Sequence, residues 1–308
     1  MSDRTPLPLR ALAPAKVNLG LFVGPARADG RHELATVMQP ISLADELTLE
    51  AAPAGATGDE LVCPGVEGEN LAARALELFR AATGWSEGPL RLRIDKRIPL
   101  AAGLGGGSAD AAAALRLLRG ASGLGDVDLL LALAAKLGAD VPSQVTPARY
   151  LATDAGESLD ALPEPVSPVG VLVLARAQGL STAEVYAAAD RLGVGHDARS
   201  LAHLREQLRA AFELGAPLPG HALLTNDLQR ASIELCPAIE PALAEAEEAG
   251  AEVALVSGSG PTVLGLFARA NGPERARRAA AALAGRVPSP VAARTVDAGF
   301  AAVRPLGR

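Results

Sequence analysis

Residues 98–118 read I-P-L-A-A-G-L-G-G-G-S-A-D-A-A-A-A-L-R-L-L. Four glycines, Gly103, Gly105, Gly106 and Gly107, lead into Ser108, and strong helix formers follow as far as Gly120, where the helix is expected to end. A loop without Cβ atoms turns sharply and brings its backbone N–H groups close to a ligand. The first turn of the next helix adds orphan donors and the positive end of its dipole. Together these make an anion site, most naturally for phosphate. The plain alternative is a glycine-rich turn capped by Ser108, but an ordinary turn needs only one or two glycines. Two familiar phosphate loops do not fit. A P-loop requires Lys then Ser or Thr after its last glycine, whereas Gly107 runs into Ser108-Ala109. The Rossmann fingerprint fits Gly103 and Gly105, but its third glycine position holds Ser108, and Lys96-Arg97-Ile98-Pro99 separates the loop from the strand at 90–95. A third kind of phosphate loop is expected.

At 308 residues the chain is long enough for two domains, and 49% hydrophobic with 21% charged residues describes a water-soluble globular protein. No apolar run reaches the roughly 18 residues that a spanning helix needs. Met1-Ser2-Asp3-Arg4 does not begin a secretion signal. Cys63 and Cys236 lie far apart without metal spacing, and with only four His residues a structural metal site is not expected. A reduced, cytoplasmic setting follows. A net charge of −6 argues against nucleic acid as the principal partner. Only Lys16, Lys96 and Lys136 are lysines among the 29 basic residues, so each stands where a compact ammonium could do what Arg cannot.

Outward from the loop, residues 13–23 read as a strand with Val17, Leu19 and Leu21 toward a core and Lys16, Asn18 and Gly20 on the other face, which either lines a site or is merely solvated. Residues 24–32 read as a loop, 47–51 as a second strand. Asn70 caps a helix over 71–82 with Leu71, Ala75, Leu78 and Ala82 on one face; Leu90, Leu92 and Ile94 alternate along a half-exposed strand. Another helix runs over 127–137 to Gly138. Asp140, in Gly138-Ala139-Asp140-Val141-Pro142, is either a cap or a carboxylate held at a helix end. The Pro-rich stretch 162–168 suggests a boundary, giving domains at 1–162 and 163–308. Beyond it come a buried strand at 169–174, a capping box at Ser181-Thr182-Ala183-Glu184 opening a helix over 183–192, and a helix over 200–212. Further helices are expected after Asn226-Asp227-Leu228 and over 237–249 and 273–284, with strands at 253–256, 262–267 and 291–296. Ser257-Gly258-Ser259-Gly260-Pro261 is a tight hairpin or a second piece of a ligand cradle. Strands and helices mix without regular βαβ alternation, which makes the chain α+β.

Three segments, P-A-K-V-N-L at 14–19, P-L-A-A-G-L-G-G-G-S-A at 99–109 and S-G-S-G-P-T at 257–262, resemble the three motifs of the GHMP small-molecule kinases, in that family's order and spacing. Arg27-Ala28-Asp29-Gly30-Arg31-His32-Glu33-Leu34-Ala35-Thr36 is similar to the R-x-D-G-Y-H-x-L-x-T signature of those members that act on a cytidine diphosphate-linked polyol; G-A-D-V-P at 138–142 and N-D-L at 226–228 match the same branch. The resemblance covers nearly the whole chain. It implies a two-domain fold, with a ribosomal protein S5 domain 2-like N-terminal domain, an α+β C-terminal domain and the active site between them. It also implies transfer of the γ-phosphoryl of ATP to the 2-hydroxyl of 4-diphosphocytidyl-2-C-methyl-D-erythritol, a step toward isoprenoid precursors outside the mevalonate route. Lys16 and Asp140 fall on the catalytic pair. Pro99, Leu100, Ala101, Ala102, Gly103, Leu104, Gly105, Gly106, Gly107, Ser108 and Ala109 fall on the ATP loop. Asn18, His32, Thr182, Tyr186, Gly258 and Ser259 fall on the substrate side, His32 reading cytosine and Tyr186 stacking on it. Arg31 replaces the usual Tyr before the His, so one face of a cytosine sandwich would be guanidinium, which can also stack. Ser143-Gln144 replaces a frequent aromatic pair.

An alcohol is a poor nucleophile and ATP repels it. Asp140 could accept the hydroxyl proton, a contribution of about 10²–10⁴-fold, while Lys16 neutralises charge on the transferring group. Ser108 could bond a phosphate or a water of the Mg²⁺ shell, and Mg²⁺ is expected with the nucleotide, retaining several waters. No protein ligand for it is named by the sequence.

Overall fold

The computed structural model describes residues 4–307; Met1-Ser2-Asp3, read above for the lack of a secretion signal, and Arg308 lie outside the described residues. The elements in order are β1 (Leu9–Ala26), β2 (His32–Ala51), β3 (Glu60–Val62), α1 (Leu71–Thr83), β4 (Leu90–Asp95), α2 (Gly106–Ser122), α3 (Val127–Leu137) and α4 (Val141–Val145). Then follow β5 (Tyr150–Thr153), β6 (Ser158–Ala161), β7 (Gly170–Leu174), α5 (Thr182–Arg191), α6 (Ala198–Phe212), α7 (Gln229–Leu235) and α8 (Ile239–Glu248). The chain closes with β8 (Val253–Val256), β9 (Val263–Phe267), α9 (Gly272–Ala282), β10 (Val291–Arg294) and β11 (Arg304–Pro305). Two sheets result. One runs β11-β1-β2-β4-β3, with β5 added to the far end of β2 and β6 beyond it; the other runs β10-β7-β9-β8.

The long antiparallel pair β1–β2 is the spine. Its register slips between Pro14 and Lys16 and again between Asn18 and Leu21. Such bulges bend a strand and re-aim its side chains. At the first one the Lys16 amide leaves β2 and donates instead to Leu104 O at 3.0 Å, tying the spine to the glycine loop. Gly20 takes φ +92°, and a Cβ there would stand 2.3 Å from Leu223 O, so the second bulge needs glycine.

Alanine spacing in α2 explains why it sits centrally. Ala109 and the run Ala111 to Ala114 are all fully buried, letting α1, α3 and the first sheet approach closely. A second core joins the far half of β1–β2 to β7, β9 and α6, and a third packs α8 and α9 on the second sheet.

Several expectations need correction. The helix does not open at Ser108 or stop at Gly120: it starts at Gly106 after a left-handed Gly105 (φ 69°), and its closing cap is Gly123. Gly120 lies inside because a Cβ there would press on Val303 Cγ1 at 3.3 Å, where the C-terminal segment packs. The buried stripe of α1 is Ala72, Ala75, Leu76 and Phe79; Leu71 and Leu78 are half-buried and Ala82 is exposed. Residues 24–32 are mostly the closing turn of β1–β2, and the strand expected at 47–51 is the end of a 20-residue β2. Val17, Leu19 and Leu21 are buried as expected, but Lys16 and Asn18 opposite them are buried too, so that face is not solvated.

Candidate active site

Lys16 and Asn18 project from the bulged stretch of β1. Lys16 Nζ donates to Asn18 Oδ1 at 3.1 Å, Asn18 Nδ2 to Thr36 Oγ1 at 2.9 Å, and the Thr36 hydroxyl to Gly20 O at 2.6 Å. This relay fixes the ammonium from one side. From the other, Asp140 Oδ2 stands 3.5 Å from Nζ, with Lys16 only 9% exposed in its side chain and Asp140 35%. Asp140 occupies the cap position of α4, yet its side chain makes no capping hydrogen bond. A cap would use its carboxylate on the helix N–H groups; this one is spent on Lys16 and the opening beside it.

The glycine loop passes directly beneath. A Cβ on Gly105 would meet Lys16 Cγ at 3.0 Å, and one on Gly106 would meet Ile98 Cγ2 at 3.1 Å. A Cβ on Gly103 would lie 2.5 Å from Ser257 O and 3.0 Å from Gly260 O, so the two glycine loops touch through backbone. Ser257 Oγ donates to Gly103 O at 3.3 Å. Asn226 braces the second loop, its amide nitrogen donating to Val256 O (2.8 Å) and Gly258 O (2.7 Å) while its oxygen caps Leu228 N. Thr182 Oγ1 and Ser259 Oγ share a hydrogen bond of 3.0 Å, which pins the start of α5 to the same loop.

These groups converge on one cleft of about 700 Å³ between the two sheets. Lys16, Asn18, His32, Gly103, Gly105, Asp140, Thr182, Tyr186, Gly258 and Ser259 all line it. The rest of the loop lies beside the cleft. Leu100 and Ala101 are exposed, Pro99, Gly106 and Ser108 half-buried, and Gly107 open, while Ala102, Leu104 and Ala109 turn their side chains into the core and offer a ligand only backbone.

At the far end His32 and Tyr186 stack with ring centroids 5.3 Å apart and 25° between planes. His32 Nε2 is 2.9 Å from Asp190 Oδ1. Burial, with Asp140 adding to it, pushes the Tyr186 phenol up to about 12, so its hydroxyl keeps its proton. The Arg31 guanidinium also faces the cleft, but it is held by Asp29 (2.8 Å) and Glu157 (3.6 Å). Sequence reasoning missed Asp190, and it quoted Thr36 and Ser257 within motifs without giving either a role. Asp190 lies one helical turn beyond Tyr186, a spacing that places it beside whatever Tyr186 touches.

Comparison with known proteins fits this arrangement. Residues 70–147 match the family model of the GHMP kinases N terminal domain, and 202–286 that of the GHMP kinases C terminal domain. A 4-diphosphocytidyl-2-C-methyl-D-erythritol kinase of Anaeromyxobacter dehalogenans is 41% identical over 90% of this chain and 86% of its own length. The chain belongs to the GHMP kinases, in the 4-diphosphocytidyl-2-C-methyl-D-erythritol kinase family. The family member of the same name from Kineococcus radiotolerans is 42% identical over 88% of this chain and 84% of its own. A crystal structure of 4-(cytidine 5'-diphospho)-2C-methyl-D-erythritol kinase superposes with a TM-score of 0.75 at 38% identity, covering 93% of this chain and 98% of that one. GHMP kinases of other specificity share the fold alone: a homoserine kinase from Cytophaga hutchinsonii matches with a TM-score of 0.67 at 18% identity, covering 94% of this chain and 95% of that one. The fold is therefore the two-part α+β fold of the GHMP kinases, and no helix among the described residues is long and apolar enough to cross a membrane.

Proposed function

We propose that this kinase transfers the γ-phosphoryl of ATP to the 2-hydroxyl of 4-diphosphocytidyl-2-C-methyl-D-erythritol, with Asp140 as proton acceptor and Lys16 as the charge that steadies the transferring group. The observation that carries this is the Lys16–Asp140 pair, 3.5 Å apart, facing a cleft between two touching glycine loops. A carboxylate that forgoes its helix cap to face a cleft is placed for proton transfer. The hydroxyl oxygen bonds to the γ-phosphorus as the bond from that phosphorus to the bridging oxygen breaks; the hydroxyl proton passes to Asp140 and ADP leaves. Because the transition state is loose, alignment and charge neutralisation count for more than base strength. The N–H groups of residues 105–108, at the end of the loop and in the first turn of α2, would hold the phosphates; the Ala109 amide already donates to Gly105 O at 2.9 Å. His32 and Tyr186 would take the cytosine, opening from their mutual stack, and Thr182, Ser259 and Asn18 the polyol side.

Mg²⁺ would arrive on the nucleotide. Among the described residues no three acidic, His or Cys side chains converge as a cage, so phosphate oxygens and waters would make up most of the ion's shell, with the Ser108 hydroxyl on one of those waters, and the ion would supply charge neutralisation on the phosphates. Asp140, paired with Lys16, is left to the hydroxyl proton. We also place the division between the two domains at 162/163, in the segment between β6 and β7, and the enzyme in the cytoplasm.

Asp140→Asn tests the central role. Asn caps a helix about as well as Asp, so the variant should melt like the wild type and bind both ligands while kcat falls about 10²–10⁴-fold. Phosphoryl transfer is followed with the cytidine polyol, homoserine and mevalonate as acceptors. Turnover of only the last two would refute the substrate; near-normal kcat in Asp140→Asn would remove the base.

A further inference from the structure

Below the phosphate loop lies a buried ion triad that the reaction above does not use. Asp45 on β2 is fully buried; its Oδ1 accepts the backbone N–H groups of Arg97 and Ile98, the latter at 2.8 Å, and its Oδ2 accepts from Lys96 Nζ. The same ammonium donates to Asp110 Oδ2 on α2 at 2.7 Å. Residues 99–105 thus leave and return at one ammonium group, which joins the strand end of the loop to its helix end. A Cβ on Gly106 would stand 3.4 Å from Lys96 Nζ, so the triad abuts the first residue of α2.

Its charge does not balance. Two carboxylates share one ammonium, and Asp110 Oδ1 is buried with no hydrogen-bond partner. Burial, reinforced by Asp45 and opposed by Lys96, pushes the Asp110 carboxyl up to about 7. Burial pulls Lys96 down, but Asp110 and Asp45 more than offset it and hold the ammonium above its usual value. The Cys63 thiol, raised by burial, and Asp95 complete the ionisable surroundings. A buried carboxylate oxygen without a donor is costly as an anion and much less so when protonated.

We propose that Lys96, Asp45 and Asp110 form a proton-linked clasp that positions the phosphate loop: phosphates arriving at the start of α2 draw a proton from solvent onto Asp110 while Lys96 keeps the two ends of the loop together. This rests on reading 99–109 as the phosphate site. Negative charge above the triad disfavours the Asp110 anion, so its affinity for a proton rises on binding. A rise of about one unit from about 7 takes up about half a proton at pH 7.5 and weakens nucleotide binding about tenfold across the alkaline side of neutrality. Well below pH 6 Asp110 is protonated in both states, and the linkage vanishes.

The experiment is calorimetric titration of MgATP into the whole protein without acceptor, at pH 7.5, in two buffers of different ionisation heat. Wild type should take up about half a proton, and Asp110→Asn should bind MgATP with that uptake lost. Lys96→Met, which keeps the stem and deletes the ammonium, should raise KM for ATP about tenfold while KM for the acceptor stays within about twofold. Should that variant not fold, the proton count of Asp110→Asn still decides. Equal uptake in both proteins, or none in a wild type that binds MgATP, overturns the clasp alone. A wild type that does not bind MgATP overturns the phosphate site and the clasp together.

Discussion

Replacing Gly103 by Ala probes the contact that joins the two glycine loops. Gly103 sits at φ +73°, where a Cβ costs about 1–2 kcal/mol in backbone strain. That Cβ would also fall 2.5 Å from Ser257 O and 3.0 Å from Gly260 O, which are backbone atoms and cannot swing aside. Forcing them apart adds about 1–3 kcal/mol of overpacking, for about 2–5 kcal/mol in all. Gly258 supplies the control. It is also left-handed, at φ +56°, but a Cβ there meets nothing nearer than Asn18 Oδ1 at 3.5 Å, so only the strain of about 1–2 kcal/mol applies. Thermal unfolding should therefore rank wild type above Gly258→Ala and Gly258→Ala above Gly103→Ala. Steady-state kinetics should show Gly103→Ala losing kcat/KM for both substrates, because the loops that part flank the cleft from opposite sides. Equal melting of the two variants, or full activity in Gly103→Ala, would refute the claim that backbone contact between the loops aligns the site.

Arg149 is wholly buried, and among the described residues no carboxylate forms an ion pair with its guanidinium, Glu164 taking only its backbone N–H; the guanidinium donates to Gln39 Oε1, Ala216 O and Pro217 O. Arg149→Met should cost about 3–5 kcal/mol because those three acceptors lose their donor; a change in melting of under a degree would contradict this. Asp110 is raised in the folded state, so its ionisation costs stability as pH climbs from the ordinary carboxylate range to about 7, and none of that cost returns above it. Melting of Asp110→Asn should accordingly improve relative to wild type between pH 5 and pH 8, and a pH-independent difference would count against the buried anion. Lys16→Met should lower kcat as far as Asp140→Asn does, and the double variant should be little worse than the poorer single, since the pair acts as one unit; additive losses would separate the two roles.

Much of this was legible in the sequence where local chemistry decides. Alternation at Leu90, Leu92 and Ile94 placed a strand, and Ser181 does accept from Glu184 N to cap α5. Helix α3 begins and ends where its apolar spacing and Gly138 put it. What long-range packing decides was not legible. Gly120 has every mark of a helix stop, yet Val303, far along the chain, presses against the very face where a side chain would sit. The bulges that aim Lys16 and Asn18 are a property of pairing with β2, which no window on β1 alone contains. The cleft residues followed from recurring motifs, whereas Asp190, which meets His32, belongs to none; Thr36 closes the signature that holds His32, but its bond to Asn18 depends on the pairing of β1 with β2. Asp140 was open between two roles because sequence places it at a helix end but cannot show which atoms its carboxylate meets.

Strand β1 passes through three apolar clusters in one run. Leu9, Ala11 and Ala13 belong to the core around α2, Ala15, Val17, Leu19 and Phe22 to the core shared with the second sheet, and Leu21 and Val23 to the cluster against α5. Lys16 stands between Ala15 and Val17 of the second cluster, three residues past Ala13 of the first, with its amide bonded to Leu104 O. An opening large enough to expose that amide must loosen packing on both sides of it, so its hydrogen exchange should proceed only through cooperative unfolding of most of the molecule. The lysine thereby inherits the rigidity of the whole protein. A destabilising substitution along either core should register at the Lys16–Asp140 pair as lost alignment before it registers as lost substrate binding.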